Sequence, residues 1–304
     1  GIFRQEIRDG RQVEEPDDWL RFQNPWEFPR PEYLLKVSFG GRVEQYRDDN
    51  GIARRRWVET SDVLAMAYDT PIPGYGNNTV NTMRLWSAIP REEFDLEDFN
   101  QGDYVGAVEH RVLSENITRV LYPNDNFYLG KQLRLKQQYF LVSATLQDAI
   151  RRHLVNHADL SNLADKAVFQ LNDTHPALAV AELMRLLMDR YEMSWDQAWD
   201  VTHGSMAYTN HTLLPEALEK WSVELLGVLL PRHLEIINEI NRRFLDDVRE
   251  RFPGEDDLVR RVSIYEEGDQ KRVRMAHLAV VGSRSVNGVA ELHTELLRTR
   301  VLKD

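Results

Sequence analysis

Three times between residues 167 and 298 a short apolar run ends in a cluster of small polar residues and gives way to a helical pattern. The first run, 167–171, leads through Asn172, Asp173, Thr174, His175 and Pro176 into a helix reaching Tyr191. The second, 205–208, leads through Thr209, Asn210, His211 and Thr212 into a helix opened by Pro215 and Glu216. The third, 275–281, leads through 282–288, ending in Asn287 and Gly288, into a helix reaching Arg298. Strands alternating with helices predict an α/β fold with an open, mostly parallel sheet covered on both faces. In such folds ligands bind beyond the carboxyl ends of the strands, where this sequence places Asn, Asp, Thr and His. A plain helix start, with Thr174 or Asp173 as cap and Pro176 in the first turn, explains Asp173 and His175 equally well. An isolated loop histidine such as His211 is more often structural than catalytic. The same topological position used on separate strands favours a functional reading.

The rest of the chain divides in two. Residues 95–304 carry the α/β pattern, including long helices at 127–154 and 230–252. The second of these has Leu234, Ile237, Ile240, Phe244 and Val248 on one face, with Glu239 and Arg243 spaced to pair on the other. Residues 1–94 are β-rich. A short helix and irregular wrapping are expected for 1–35, where proline and tryptophan are frequent. A hairpin is expected about Gly40 and Gly41, then strands at 57–68 and 80–86 around a turn-dense stretch, 69–78.

Composition removes several function classes. With 38 basic and 49 acidic residues the net charge is −11, which argues against a nucleic-acid or anionic-membrane binder. The chain has no cysteine, so disulfides, thiolate metal sites and a cysteine nucleophile are excluded. Its longest apolar runs, such as 225–230, are too short to span a bilayer. Four Asn-x-Thr sequons (Asn77, Asn116, Asn172, Asn210) occur without a signal peptide, and a cytoplasmic location is expected. The ends, Gly1 and Asp304, look cut from something longer.

No metal site is expected. The nine histidines never show the i, i+4 spacing of zinc ligands with a helical glutamate between, and His153 and His157 read as an exposed helix end. No pair of acids sits in a pattern that looks buried, as a carboxylate-pair glycosidase requires. No glycine-rich phosphate loop is present. Residue patterns alone reach an α/β carbohydrate- or nucleotide-type domain with a polar crevice.

Longer motifs go further. GIF at 1–3, Asp9-Gly10, DDW at 17–19, NPWE at 24–27, AYDTPIPGY at 67–75 and NTMRLWSA at 81–88 are followed by LYPNDN at 121–126 and GKQLRLKQ at 130–137. Next come QLNDTHPAL at 170–178, YTNHTLLPEAL at 208–218, LPRHL at 230–234, MAHL at 275–278 and VNGV at 286–289. In these motifs and their order the chain resembles the glycogen, starch and maltodextrin (α-glucan) phosphorylases.

The resemblance implies a partial amino-terminal domain: one half of a two-domain, glycosyltransferase-B type fold with a doubly wound, mostly parallel sheet. The facing domain, which holds pyridoxal phosphate on a lysine, would lie outside this chain, so no cofactor-binding residue is expected here. The implied reaction is retaining phosphorolysis of a terminal α-1,4-linked glucose to glucose 1-phosphate, with the cofactor's phosphate relaying the proton. By position, His211 should bind the sugar and offer its carbonyl near the anomeric carbon, and Asp173 should support it. In a gate loop at 122–127, Asn126 should bind a glucose hydroxyl beside a mobile Asp125, and Val286 should line the floor under the glucose. Residues 97–117 match a helix that packs against a second subunit in a homodimer. The helices around 230–252 match the region of a remote glucan-storage site. The fragment alone is expected to be inactive. The alternatives are a non-catalytic glucan-binding or dimerisation module, and a nucleotide-sugar glycosyltransferase such as a glycogen synthase.

Overall fold

The amino-terminal segment is a hairpin, in place of the helix and irregular wrapping expected there. Strand β1 (Phe3–Arg8) pairs antiparallel with β2 (Arg11–Pro16), in register from Phe3↔Pro16 to Arg8↔Arg11. The two-residue turn between them, Asp9 and Gly10, has φ of 51° and 72°, the left-handed pair that matches the twist of a tight hairpin. The computed structural model describes residues 3–17, 21, 24–90, 106–120 and 122–301. They fall into two units, 1–36 with 63–134 and 37–62 with 135–304.

Five strands follow in order: β3 (Phe28–Phe39), β4 (Arg42–Arg47), β5 (Ala53–Val58), β6 (Ser61–Pro73) and β7 (Val80–Pro90). The expected hairpin about Gly40 and Gly41 does not form. Strand β3 bonds to β6, while β4 bonds to β5 from Arg42↔Val58 to Arg47↔Ala53. The strands beside the two glycines therefore enter different sheets. The single strand expected at 57–68 is two, broken at Glu59, whose φ is 56°.

In the first unit β6 and β7 pair antiparallel from Val63↔Pro90 to Pro73↔Val80. Alternation sends Val63, Ala65, Ala67 and Asp69 of β6 inward. Asp69 is buried but not unpaired: Arg84 binds it at 2.7 Å and Arg30 at 3.0 Å. Helix α1 (Gly106–Arg119) lies on β7, and its Thr118 hydroxyl accepts from the Ala88 amide at 3.0 Å. It overlaps the expected 97–117 helix; residues 91–105 lie outside the described residues.

The remaining elements are α2 (Tyr128–Leu154), whose first turns belong to the first unit, β8 (Phe169–Asn172), α3 (Ala179–Arg185), α4 (Trp195–Ser205), β9 (Met206–Asn210), β10 (Lys220–Ser222), α5 (Val223–Leu229), α6 (Pro231–Arg251), α7 (Asp256–Val262), β11 (Tyr265–Glu266), β12 (Arg272–Arg274), α8 (Met275–Val281), β13 (Ser285–Gly288) and α9 (Glu291–Leu296). Helices α2 and α6 match their expected spans to within two residues. Along α6, Ile236, Ile237, Ile240, Leu245 and Val248 are buried; each such side chain contributes about 1.5–3 kcal/mol of transfer free energy. Ser194 and Gln197 close a capping box at the start of α4.

Two of the three strand–loop–helix units differ from expectation. Residues 275–281 are the helix α8, and the strand is β13, inside the stretch read as a loop. A seven-residue run, apolar except for His277, satisfies either period, and tertiary packing chose the helix. After β9, Pro215 opens only a single 3-10 turn before β10. The cap expected at Asp173 or Thr174 is also absent: α3 starts at Ala179 with Leu178 as its N-cap and no side-chain bond. His153 is buried rather than exposed, stacked on His157 at 4.1 Å with its Nε2 facing Asn162 Oδ1 at 3.0 Å.

The central sheet of the second unit is parallel, in the order β13-β9-β8. A second, antiparallel sheet has the order β10-β12-β11. The structure is mixed α/β among the described residues, with one parallel and several antiparallel sheets. Among the described residues no helix is long and apolar enough to cross a membrane.

Candidate functional site

Register decides what stands at the carboxyl edge of the parallel sheet. Leu171, Tyr208 and Val286 form one cross-strand row; Asn172, Thr209 and Asn287 form the next; Asn210 pairs with Gly288. Side chains alternate between faces. Leu171, Tyr208, Asn210 and Gly288 are buried on one face, while Gln170, Asn172 and Asn287 are exposed on the other. The expectation of a sheet covered on both faces is therefore not met in the described residues. The open face is bonded across its strands: Gln170 donates to Thr209 Oγ1 at 2.8 Å, and Thr209 donates to Asn287 Oδ1 at 3.1 Å.

Asp173 and His211 lie just past the ends of adjacent strands, β8 and β9. The Asp173 amide donates to the Thr209 carbonyl at 2.9 Å, extending the ladder by one bond. Its φ is 66°, a left-handed conformation that costs a non-glycine residue on the order of 1 kcal/mol and that aspartate tolerates better than most. The carboxylate accepts from the Thr174 amide at 2.6 Å. His211 is exposed, whereas Asn210 before it is buried. Val286 is placed differently. It sits inside β13 opposite Tyr208, half-buried on the packed face and two residues short of the strand's end. Burial pushes the neighbouring Tyr208 hydroxyl up to about 12, so it remains a neutral phenol.

The expected gate residues belong to the first unit. Asn124 Oδ1 accepts from the Asn126 amide at 3.1 Å, an Asx turn that shapes the loop. Asp125 stands 3.7 Å from Arg134. A Cβ on Gly130 would strike the Asn124 carbonyl, so glycine is needed for the loop to close on the start of α2. Asn124, Asp125 and Asn126 are all exposed.

Two arrangements escaped sequence reasoning. Glu182, in the middle of α3, is fully buried. It binds Arg185 at 2.6 Å, His233 of α6 at 2.7 Å, and Ser143 of α2 at 2.6 Å. Burial alone pushes the Glu182 carboxyl up, but the Arg185 guanidinium and the His233 bond hold it well below the usual carboxylate range. Burial pushes His233 down, so its Nε2–H donates to Glu182 as a neutral imidazole. The spacing of Glu182 and Arg185 within an apolar helix was the available signal. The second arrangement joins Asn210 to His293, 83 residues away, and no local pattern announces it.

A cavity of about 660 Å³ lies elsewhere, between α4 and α6, lined by Trp195, Trp199, Phe244 and Arg251 among others and by no residue of the strand edge. Among the described residues no group of three or more His, Asp or Glu could hold a metal ion. The strand edge contains no lysine, and Lys220 and Lys271 are ion-paired to Glu266 and Glu267. These residues do not fit a pyridoxal Schiff base.

The sequence profile of the family described as carbohydrate phosphorylase matches residues 1–304. The chain is 58% identical over 312 aligned positions to the brain form of glycogen phosphorylase from Homo sapiens, covering 100% of this chain and 36% of that protein. It is 57% identical to the liver form from Ovis aries, covering 100% and 36%. The brain form from Rattus norvegicus is 58% identical, with 100% and 37% covered. The chain belongs to the carbohydrate phosphorylase family, and it spans little more than a third of the length of these relatives.

Proposed function

We propose that these residues form part of the amino-terminal domain of an α-glucan phosphorylase, with 1–94 as its β-rich portion and 95–304 as its α/β portion. The domain is one half of a glycosyltransferase-B type fold, and the intact enzyme works as a homodimer in the cytoplasm. Its substrates are an α-1,4-glucan and inorganic phosphate. A phosphate oxygen bonds to the anomeric carbon of the terminal glucose as the C1–O4 bond breaks with retention, and the O4 oxygen released on the shortened glucan takes the proton that the attacking hydrogen phosphate gives up. Pyridoxal phosphate, held outside these residues, is the cofactor of the intact enzyme.

One observation carries the reading. Asp173 is bonded to Thr209 past the end of one parallel strand, and His211 stands past the end of the next, in a chain that matches glycogen phosphorylases along its whole length. His211 offers its carbonyl and imidazole to the sugar, where charge develops at the anomeric carbon. Fixed dipoles there act by electrostatic preorganisation. Asp173 holds the adjoining turn; Asn126 and Asp125 contact glucose hydroxyls, and Val286 supports the floor.

The full-length enzyme carrying this chain should release glucose 1-phosphate from maltoheptaose and phosphate. In it, His211→Ala should lower kcat by about ten- to a hundredfold and raise KM far less, because the contact strengthens in the transition state. An unchanged kcat would reduce His211 to a structural loop residue.

A further inference from the structure

Asn210, the last residue of β9, is 1% exposed although its side chain is a primary amide. Three groups meet that amide. Its Nδ2 donates to the Tyr208 hydroxyl at 2.9 Å, its Oδ1 accepts from the Thr212 amide at 3.1 Å, and the same Oδ1 faces His293 Nε2 at 3.0 Å. A backbone N–H can only donate, so the atom opposite Thr212 is the carbonyl oxygen. The His293 nitrogen facing that oxygen must then carry the ring proton. Each partner comes from a different place: β9 itself, the loop after it, and α9.

The consequence falls on the residue in between. Asn210 is fixed by the parallel ladder to Gly288, and Thr212 is fixed by the Asn210 side chain. The backbone of His211 is held on both sides while its imidazole stays exposed. His293 is brought to this point by close packing. The Gly288 amide donates to Thr294 Oγ1 at 3.0 Å. A Cβ on Gly288 would stand 2.5 Å from His293 Cδ2, so only glycine lets the ring lie against β13.

We infer that His293 is a positioning residue for His211, acting through the side chain of Asn210. The inference rests on the assignment of His211 to the sugar site. A carbonyl that must meet developing charge at one carbon has to be held in one orientation. Without the His293 donor, Asn210 Oδ1 loses one of its two partners, and the turn gains freedom at its centre.

The test uses two variants of the full-length phosphorylase. His293→Leu keeps apolar bulk and removes the donor; His293→Gln places an amide N–H at the reach of Nε2. His293→Leu should lower kcat about tenfold or more, as small misplacements of reacting groups do, with KM for maltoheptaose within about twofold. His293→Gln should recover most of the rate. Amide hydrogen exchange at Thr212 should quicken in the leucine variant and return in the glutamine variant. A leucine variant with the wild-type rate overturns the proposal, as does a rate loss that follows the melting temperature and is not recovered by glutamine. If His211→Ala itself leaves kcat unchanged, the reading of the sugar site fails instead, and exchange at Thr212 still decides whether His293 fixes the turn.

Discussion

Two glutamates in the second unit hold an arginine three residues later at almost the same distance: Glu182 with Arg185 at 2.6 Å, and Glu239 with Arg242 at 2.7 Å. Both are helical, both are bonded through the guanidinium, and both carboxyls are held below their ordinary range. They differ in where the pair lies. The side chain of Glu182 is 0% exposed and that of Arg185 17%, while Glu239 and Arg242 are 32% and 57% exposed. Spacing makes such a pair possible, and burial decides what it is worth. In water two opposite charges at contact gain roughly 1 kcal/mol, and the gain grows as water is excluded. A buried charge that loses its partner is left where nothing solvates it.

The largest expected effect is therefore at Glu182. Glu182→Gln keeps shape and one acceptor but leaves Arg185 uncompensated beside Tyr139 and His233. It should destabilise the chain by about 3–5 kcal/mol, read as a shift of the urea midpoint at unchanged slope. A loss below about 1 kcal/mol would erase the distinction between the two pairs. The node ties α2, α3 and α6 together, since Ser143, Glu182 and His233 belong one to each. Such a loss should be global rather than confined to α3.

What sequence could reveal follows the same division between local and tertiary causes. Helices α2 and α6 were legible because a sustained period of 3.6 has no competing reading over twenty or more residues. The position of Asp173 and His211 at strand ends was legible because small polar residues after a short apolar run mark a strand's end in any α/β fold. The strand β13 was not. Its four residues, Ser285 to Gly288, carry little hydrophobic pattern, and the apolar stretch before them became α8. The Gly40-Gly41 hairpin failed because β3 finds its partner in β6, beyond the intervening β4 and β5. The hairpin of β1 and β2 was missed although Asp9-Gly10 is a strong turn signal, because both strands are charged and mostly exposed. Glu182 was missed because nothing local says that α3 is buried from Ala179 to Met184.

Acid should separate the two pairs next. A glutamate whose folded pKa is depressed contributes stability that is present above its ordinary value of 4.5 and is lost as pH falls toward the folded value. For Glu239 that value is about 2, set first by the bond from Arg242, and the Glu182 carboxyl is likewise held well below its ordinary range. His277 adds to an earlier phase that it shares with His233 and His203, both also lowered by burial. Burial lowers His277 from 6.5 to about 4, so the unfolded chain takes up its proton first and stability declines as pH drops across that interval. The urea midpoint should fall between pH 6.5 and 4, and more steeply below 4.5. His277→Asn should flatten its share of the first phase and Glu182→Gln the second. A midpoint independent of pH down to 4 would remove His277 from this account.

The smallest effect is expected at Glu239, and it tests the comparison because the bond lengths there nearly match those of the buried node. Glu239 takes bonds from Arg242 at 2.7 Å and from Arg243 at 2.7 Å. Arg243 in turn reaches Asp196 at 2.8 Å and covers the Trp195 ring at 5.0 Å. Judged by bond length alone, this cluster should matter as much as the buried node. Judged by solvent, it should matter little, because three flexible side chains lose rotamer freedom to form it and water solvates each charge when it breaks. Glu239→Gln should cost about 0.5 kcal/mol in low salt and less at high ionic strength, where exposed charges are screened. The Glu182→Gln penalty should be nearly insensitive to salt. Arg243 would keep Asp196 and Trp195 in the variant, so its ring contact should persist. A salt-independent cost of several kcal/mol at Glu239 would mean that bond geometry, not burial, sets the worth of these pairs.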